Sequence, residues 1–161
     1  MRWFKDIPDA HAHCDIPCGI YDPATAQQAA LSVCRFLDLI KEAADAGLGD
    51  AAAQAKVARL AAEKEKHAKE VKAEVVIIWG DYFKAPQIEK YPEIHELTHS
   101  ILLQASACKQ GVDPNSGRKL VDLVNRFAEI YWTTKGVAVQ KVKVPYEPKL
   151  EIVQGVFEAA S

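Results

Sequence analysis

Nine residues near the start of the chain, His13-Cys14-Asp15-Ile16-Pro17-Cys18-Gly19-Ile20-Tyr21, concentrate groups that can do chemistry. Two thiols four residues apart, with Pro17 stiffening the link and Gly19 freeing the backbone after it, describe a small loop that can close round one metal ion. His13 adds an imidazole beside the first thiol. If the chain is cut before His13, a free amine joins the set, and the Cys14 amide nitrogen lies between amine and thiolate. Amine, amide nitrogen and two thiolates make a near-planar N2S2 set, with the imidazole able to approach from one side. That geometry suits Ni(II) or Cu(II), and soft thiolate donors argue against Mg, Ca and Mn. A structural zinc normally takes four side-chain ligands, and this loop offers three. The next cysteine is Cys34, too far away for the short run that holds an iron–sulfur cluster. The same spacing occurs in disulfide loops, so a metal site and a Cys14–Cys18 redox switch both stay open on spacing alone.

The string HCDIPCGIYDP resembles the nickel hook of the nickel-containing superoxide dismutases, whose pattern is His-Cys-x-x-Pro-Cys-Gly-x-Tyr. Trp79-Gly80-Asp81-Tyr82-Phe83-Lys84, followed by Glu89-Lys90-Tyr91-Pro92-Glu93, is similar to internal segments of that family. The stretch from Phe127 to Lys135, with its pair Tyr131-Trp132, is similar to the family's last helix. The resemblance implies a nickel-dependent oxidoreductase with one nickel ion per subunit, converting superoxide to oxygen and hydrogen peroxide through the Ni(II)/Ni(III) couple. It implies His13 as ligand through its amine and, in the oxidised state, its axial imidazole. Cys14 then binds through thiolate and amide nitrogen, and Cys18 through thiolate. Anionic sulfur and a deprotonated amide push electron density onto a metal that water alone leaves very hard to oxidise. Tyr21 and Tyr82 match family positions near the open face of the metal, where their phenols order water or anion and limit direct ligation. Asp15 and Asp81 match positions whose contacts hold the hook and its surroundings, and Lys84 is placed to attract the superoxide anion. Many members hold the axial imidazole with a glutamate early in the first helix and an arginine in the second. Here those stretches offer Gln28-Ala29 and His67, so the axial histidine is held differently.

The elements that must carry these groups are helical. Asp22 and Pro23 form a helix start, as N-cap and first helical residue, and Ala26, Ala30, Val33, Leu37 and Ile40 recur at helical spacing. Gly47 and Gly49 end that helix, and Cys34 beside its stripe reads as a small buried hydrophobe. A second helix runs from Asp50 to about Trp79 on Val57, Leu60, Lys64, His67, Val71, Val75 and Ile78, with Pro86 as its stop. The third opens at Pro92 on Ile94, Leu97, Ile101, Ala105 and Cys108, with His95 and His99 on a polar face. After the turn Val112-Asp113-Pro114-Asn115-Ser116-Gly117 the fourth uses Leu120, Leu123, Val124, Phe127, Ile130 and Tyr131, and Gly136 ends it. Four such helices with short connections describe an all-α, antiparallel up-down four-helix bundle with an N-terminal metal hook. The family resemblance implies the same fold, assembled as a homohexamer with hooks near subunit contacts.

The flanks divide the chain further. Residues 1–12 read as a leader that a processing protease removes, with Ala10-His11-Ala12 placing small residues ahead of His13 and no apolar core for a secretory signal. Residues 13–136 hold the hook and bundle, and 137–161 form a C-terminal extension, extended or disordered. A net charge of −2 over 161 residues implies no nucleic-acid partner, and no apolar run reaches membrane-spanning length, so no membrane partner is implied. Four cysteines without a regular framework fit a reducing compartment, the cytoplasm. The readings that compete with the enzyme are a non-catalytic nickel- or copper-binding helical module and the Cys14–Cys18 switch.

Overall fold

The structure, a computed structural model, describes residues 18–158, so His13, Cys14, Asp15 and the leader lie outside the described residues. Alanine-rich segments with an apolar residue every three or four positions fold in water as helices that each bury one face. They form α1 (Ala24–Ala46), α2 (Ala51–Ile77), the short α3 (Ala85–Lys90), α4 (Ile94–Gln110) and α5 (Pro114–Thr134). Helix α1 packs on α2 and α5, and α4 packs on the same two, so the four long helices close a ring. This is the expected all-helical bundle. The α1 stripe Ala26, Ala30, Val33, Leu37 and Ile40 is buried throughout, as are Leu120, Val124, Phe127, Ile130 and Tyr131 of α5.

Helix starts follow local chemistry. Asp22 Oδ1 accepts the Ala24 amide at 2.8 Å, with Pro23 already helical at φ −71°. Asp50 caps α2 through the Ala53 amide at 2.7 Å, and Asp113 caps α5 through Asn115 at 3.0 Å. In α2 the seam is buried at Val71 and Val75 but only half-buried at Val57 and Leu60. At 27 residues α2 outruns the 17 of α4, so its first turns lack a neighbour on that side. Lys64, a polar interruption in the sequence, is buried. Its ammonium donates to the carbonyls of Lys109 and Gly111 at 2.9 and 2.5 Å, closing the C-terminus of α4 where a cation is favoured.

One sequence expectation changes, and one left between alternatives is made specific. Pro86 does not end the second helix. Helical backbone passes beyond Ile77 as a π-helical turn, Ile78–Tyr82, and Phe83 leaves it in extended conformation. Pro86 then sits in the first turn of α3, where its missing amide is no loss. The C-terminal extension is a hairpin, β1 (Val139–Lys143) with β2 (Glu151–Gly155), folded against its own α5. Its anchors are side chains far away in sequence. The buried Gln27 donates to the Val153 carbonyl at 2.8 Å and to Asn125 Oδ1 at 3.0 Å, while Asn125 donates to the Glu151 carbonyl and accepts the Val153 amide. Phe157 packs edge-on to Trp132 at 5.2 Å.

Candidate metal centre

Cys18 is the first described residue, and its thiol is exposed. From it the chain reaches α1 through Gly19, at φ +70°, a left-handed conformation that a side chain would strain. Ile20 is exposed and Tyr21 packs against the bundle. The stem of the hook is tied there by Tyr131, whose buried hydroxyl donates to the Tyr21 carbonyl. Burial, with Tyr82 next in influence, pushes the Tyr131 phenol up to about 12, so it remains a proton donor through the physiological range.

The π-helical turn inserts an extra residue into its turn, a feature common at functional sites. On one side Trp79 Nε1 donates to His95 Nδ1 at 3.0 Å, and on another Lys84 Nζ donates to the Gly80 carbonyl at 2.7 Å. Tyr82 points to α5. Its hydroxyl lies 2.7 Å from Thr134 Oγ1, and its ring stands 4.9 Å from that of Tyr131 and 6.1 Å from that of Tyr21. Lys135 Nζ lies 4.5 Å over the Tyr82 ring, within cation–π range. Tyr21 and Tyr82 are therefore brought together at the stem of the hook, with Lys84 and Asp81 on the adjoining turn. His67 is elsewhere. It stands about three turns before the end of α2, roughly 15 Å along the axis. There its Nδ1 meets Glu70 at 3.0 Å and its ring stacks on Phe36 at 5.6 Å. Asp15 cannot be placed, lying outside the described residues.

The other described cysteines are unlike Cys18. Cys34 and Cys108 are fully buried, and desolvation pushes both thiols up to about 11, so neither is a thiolate near neutral pH. Among the described residues no group of three or more His, Cys, Asp or Glu is arranged to hold a metal. Of the surrounding contacts, Thr134 and Lys135 escaped the sequence reading. Their only signal was a place one turn after Tyr131, on the same helix face.

Fold and site together define a class: a helical bundle whose thiol donor stands outside the core, on a stem beside a tyrosine cluster. Residues 8–135 match the family described as nickel-containing superoxide dismutase. "Superoxide dismutase [Ni]" of Streptomyces coelicolor is 41% identical over 134 residues, which is 83% of this chain and 96% of that protein. The protein of the same name from Streptomyces seoulensis is 39% identical over the same shares. A native nickel superoxide dismutase structure superposes with a TM-score of 0.66 at 41% identity, over 76% of this chain and 99% of that one. The chain belongs to the nickel-containing superoxide dismutase family. Its hairpin lies beyond the matched span.

Proposed function

We propose that this chain is a nickel-dependent superoxide dismutase with its metal held at residues 13–18. The observation that carries the reading is the family match running from before the hook to the end of α5, in a fold that leaves the Cys18 thiol exposed. The donor set fits nickel. Cys18 and Cys14 offer soft anionic sulfur, and His13 offers amine and imidazole once it is the first residue. The two buried thiols do not compete, because burial keeps them protonated. When bound, nickel supplies a one-electron couple through which one superoxide leaves as oxygen and the next, taking up two protons, leaves as hydrogen peroxide.

The chain's own residues supply place and protons. Tyr131 fixes the stem through the Tyr21 carbonyl, and the Tyr21 and Tyr82 rings wall one side of it. Their phenols order water there. Lys84 and Lys135 bring positive charge to the same end of the bundle and favour the approach of a small anion. Asp81 is exposed on the π-helical turn, and the family resemblance gives it and Asp15 the role of holding the hook's surroundings. His67 lies between Glu70, 3.0 Å from its Nδ1, and Glu63, 3.9 Å from its Nε2; standing well away from the stem of its own chain, it would meet the hook of a neighbouring subunit. That arrangement agrees with a homohexamer whose hooks lie near subunit contacts, a reading that the exposed Ile20 on the stem also supports. The described cysteines are free thiols, in keeping with a cytoplasmic location, and no helix among the described residues is long and apolar enough to cross a membrane.

Catalysis in this reading needs residues 1–12 removed by a protease, because only then does His13 carry a free amine. Two nickel-loaded preparations test this by superoxide decay, one beginning at His13 and one retaining residues 1–12. Fast decay is expected only in the first. Nickel binding without decay in either would make the hook a carrier, and equal decay in both would show that the amine is dispensable.

A further inference from the structure

One hydroxyl of the tyrosine cluster decides how the others are polarised. Thr134 Oγ1 lies 2.7 Å from the carbonyl oxygen of Tyr131, one turn back on α5, and 2.7 Å from the hydroxyl of Tyr82. A threonine hydroxyl has one proton to give, and a carbonyl has none. For the contact with Tyr131 to be a hydrogen bond, the Thr134 proton must lie on that carbonyl. The contact with Tyr82 is then bridged by the only proton left, the phenol's own. The reverse order would leave two half-buried oxygens 2.7 Å apart with no proton between them, at the cost of an unmade bond. The direction is fixed: Tyr82 donates to Thr134, and Thr134 donates to Tyr131.

We infer that Thr134 is a positioning residue that holds the Tyr82 phenol proton inward, so that Tyr82 offers lone pairs, and not a proton, to whatever else approaches its oxygen. This rests on the proposed function and deepens it. An anion such as superoxide accepts hydrogen bonds and cannot donate them, so it finds no partner at Tyr82. Water and hydrogen peroxide can donate, and they are held. Tyr131 is arranged in the same sense, its own proton given to the Tyr21 carbonyl. Neither phenol proton is therefore offered to an anion, and the half-buried Tyr82 is the one whose oxygen can hold a proton carrier beside the stem. Guidance of the anion is left to the ammonium groups, of which Lys135 lies over the Tyr82 ring.

The test compares Thr134→Val, which keeps the shape without the hydroxyl, with Thr134→Ser, which keeps the hydroxyl. In the metal-free chain, the tyrosine Fermi doublet in ultraviolet Raman spectra distinguishes phenols that donate from phenols that accept. Subtraction of the Tyr82→Phe spectrum isolates Tyr82. The Tyr82 doublet should be alike in the native chain and in Thr134→Ser, and should shift in Thr134→Val, where the phenol exchanges its fixed acceptor for solvent. A doublet unmoved by Thr134→Val, or moved equally by Thr134→Ser, overturns the inference.

In the nickel-loaded chain beginning at His13, inhibition by azide should tighten about tenfold in Thr134→Val, or ~1.4 kcal/mol, because the released phenol proton meets the anion. Adding Tyr82→Phe should abolish that gain. An azide affinity unmoved by Thr134→Val, or a gain that survives the loss of the phenol, overturns the anion-excluding role. Failure of the nickel-loaded native chain to consume superoxide would count against the proposed function instead, and would leave the Raman result standing.

Discussion

Replacing Cys18 with serine should abolish both tight nickel binding and superoxide turnover while leaving the bundle intact. The thiol is exposed and belongs to none of the buried layers, so the change should move stability by no more than about 0.5 kcal/mol. What it removes is the soft donor. A serine hydroxyl stays protonated at neutral pH, so it gives the metal neither the negative charge nor the soft sulfur of a thiolate. Loss of a contact to a metal ligand typically costs roughly 10–100-fold in affinity or activity, and loss of the ligand itself should exceed that range. Competition with a chelator followed by superoxide decay checks both effects, with thermal unfolding as the control. Cys34→Ser makes the contrast. Its buried hydroxyl should lower stability and leave the nickel stoichiometry unchanged.

The second large effect lies at a tight contact between α1 and α5. Gly117, in the first turns of α5, has no room for a side chain: a Cβ there would stand 2.8 Å from the Cys34 Cα and 3.0 Å from Leu37 Cδ1. The first of these is backbone and cannot turn aside. Helix propensity alone favours replacing this glycine, by ~1 kcal/mol for alanine. Packing opposes it and wins, because overfilling a close-packed contact typically costs about 1–3 kcal/mol and valine adds two further methyl groups. Gly117→Val should therefore destabilise the chain by about 3 kcal/mol and lower its melting temperature by roughly 6–12 °C. Gly49→Ala, with nothing within 4 Å of the added atom, should stay near the native value. Equal losses at the two positions would show that the approach of α1 to α5 is not tight.

The bundle was legible in the sequence because its information is local and periodic. The stripes of α1, α4 and α5, the aspartates that cap α2 and α5, and the turn before α5 are each written in consecutive residues, and the buried positions repeat them except at Leu97 and Leu123, which are half-buried at the edge of the core. Lys64 shows where that reading stops. Its charge suggests an interruption of the seam, yet its stem passes through the seam and its ammonium caps another helix, a partner chosen by the tertiary fold. The hairpin was illegible for the same reason. Neither strand alternates cleanly between buried and exposed positions, and what holds them is Gln27 and Asn125, distant in sequence and polar. At the site the hook, Tyr21 and Tyr82 stood out by residue type and by resemblance. Thr134 and Lys135 did not. A threonine and a lysine in a last helical turn have ordinary uses, and only the approach of the π-helical turn to α5 gives them others.

The most direct test of the account is the rate of superoxide decay by the chain beginning at His13, loaded in turn with nickel, copper or zinc, or left without metal. Stopped-flow decay should be fast only with nickel, rise in proportion to the nickel bound, and fall to the metal-free rate in the other preparations. Copper working as well as nickel, or nickel no better than no metal, would contradict it.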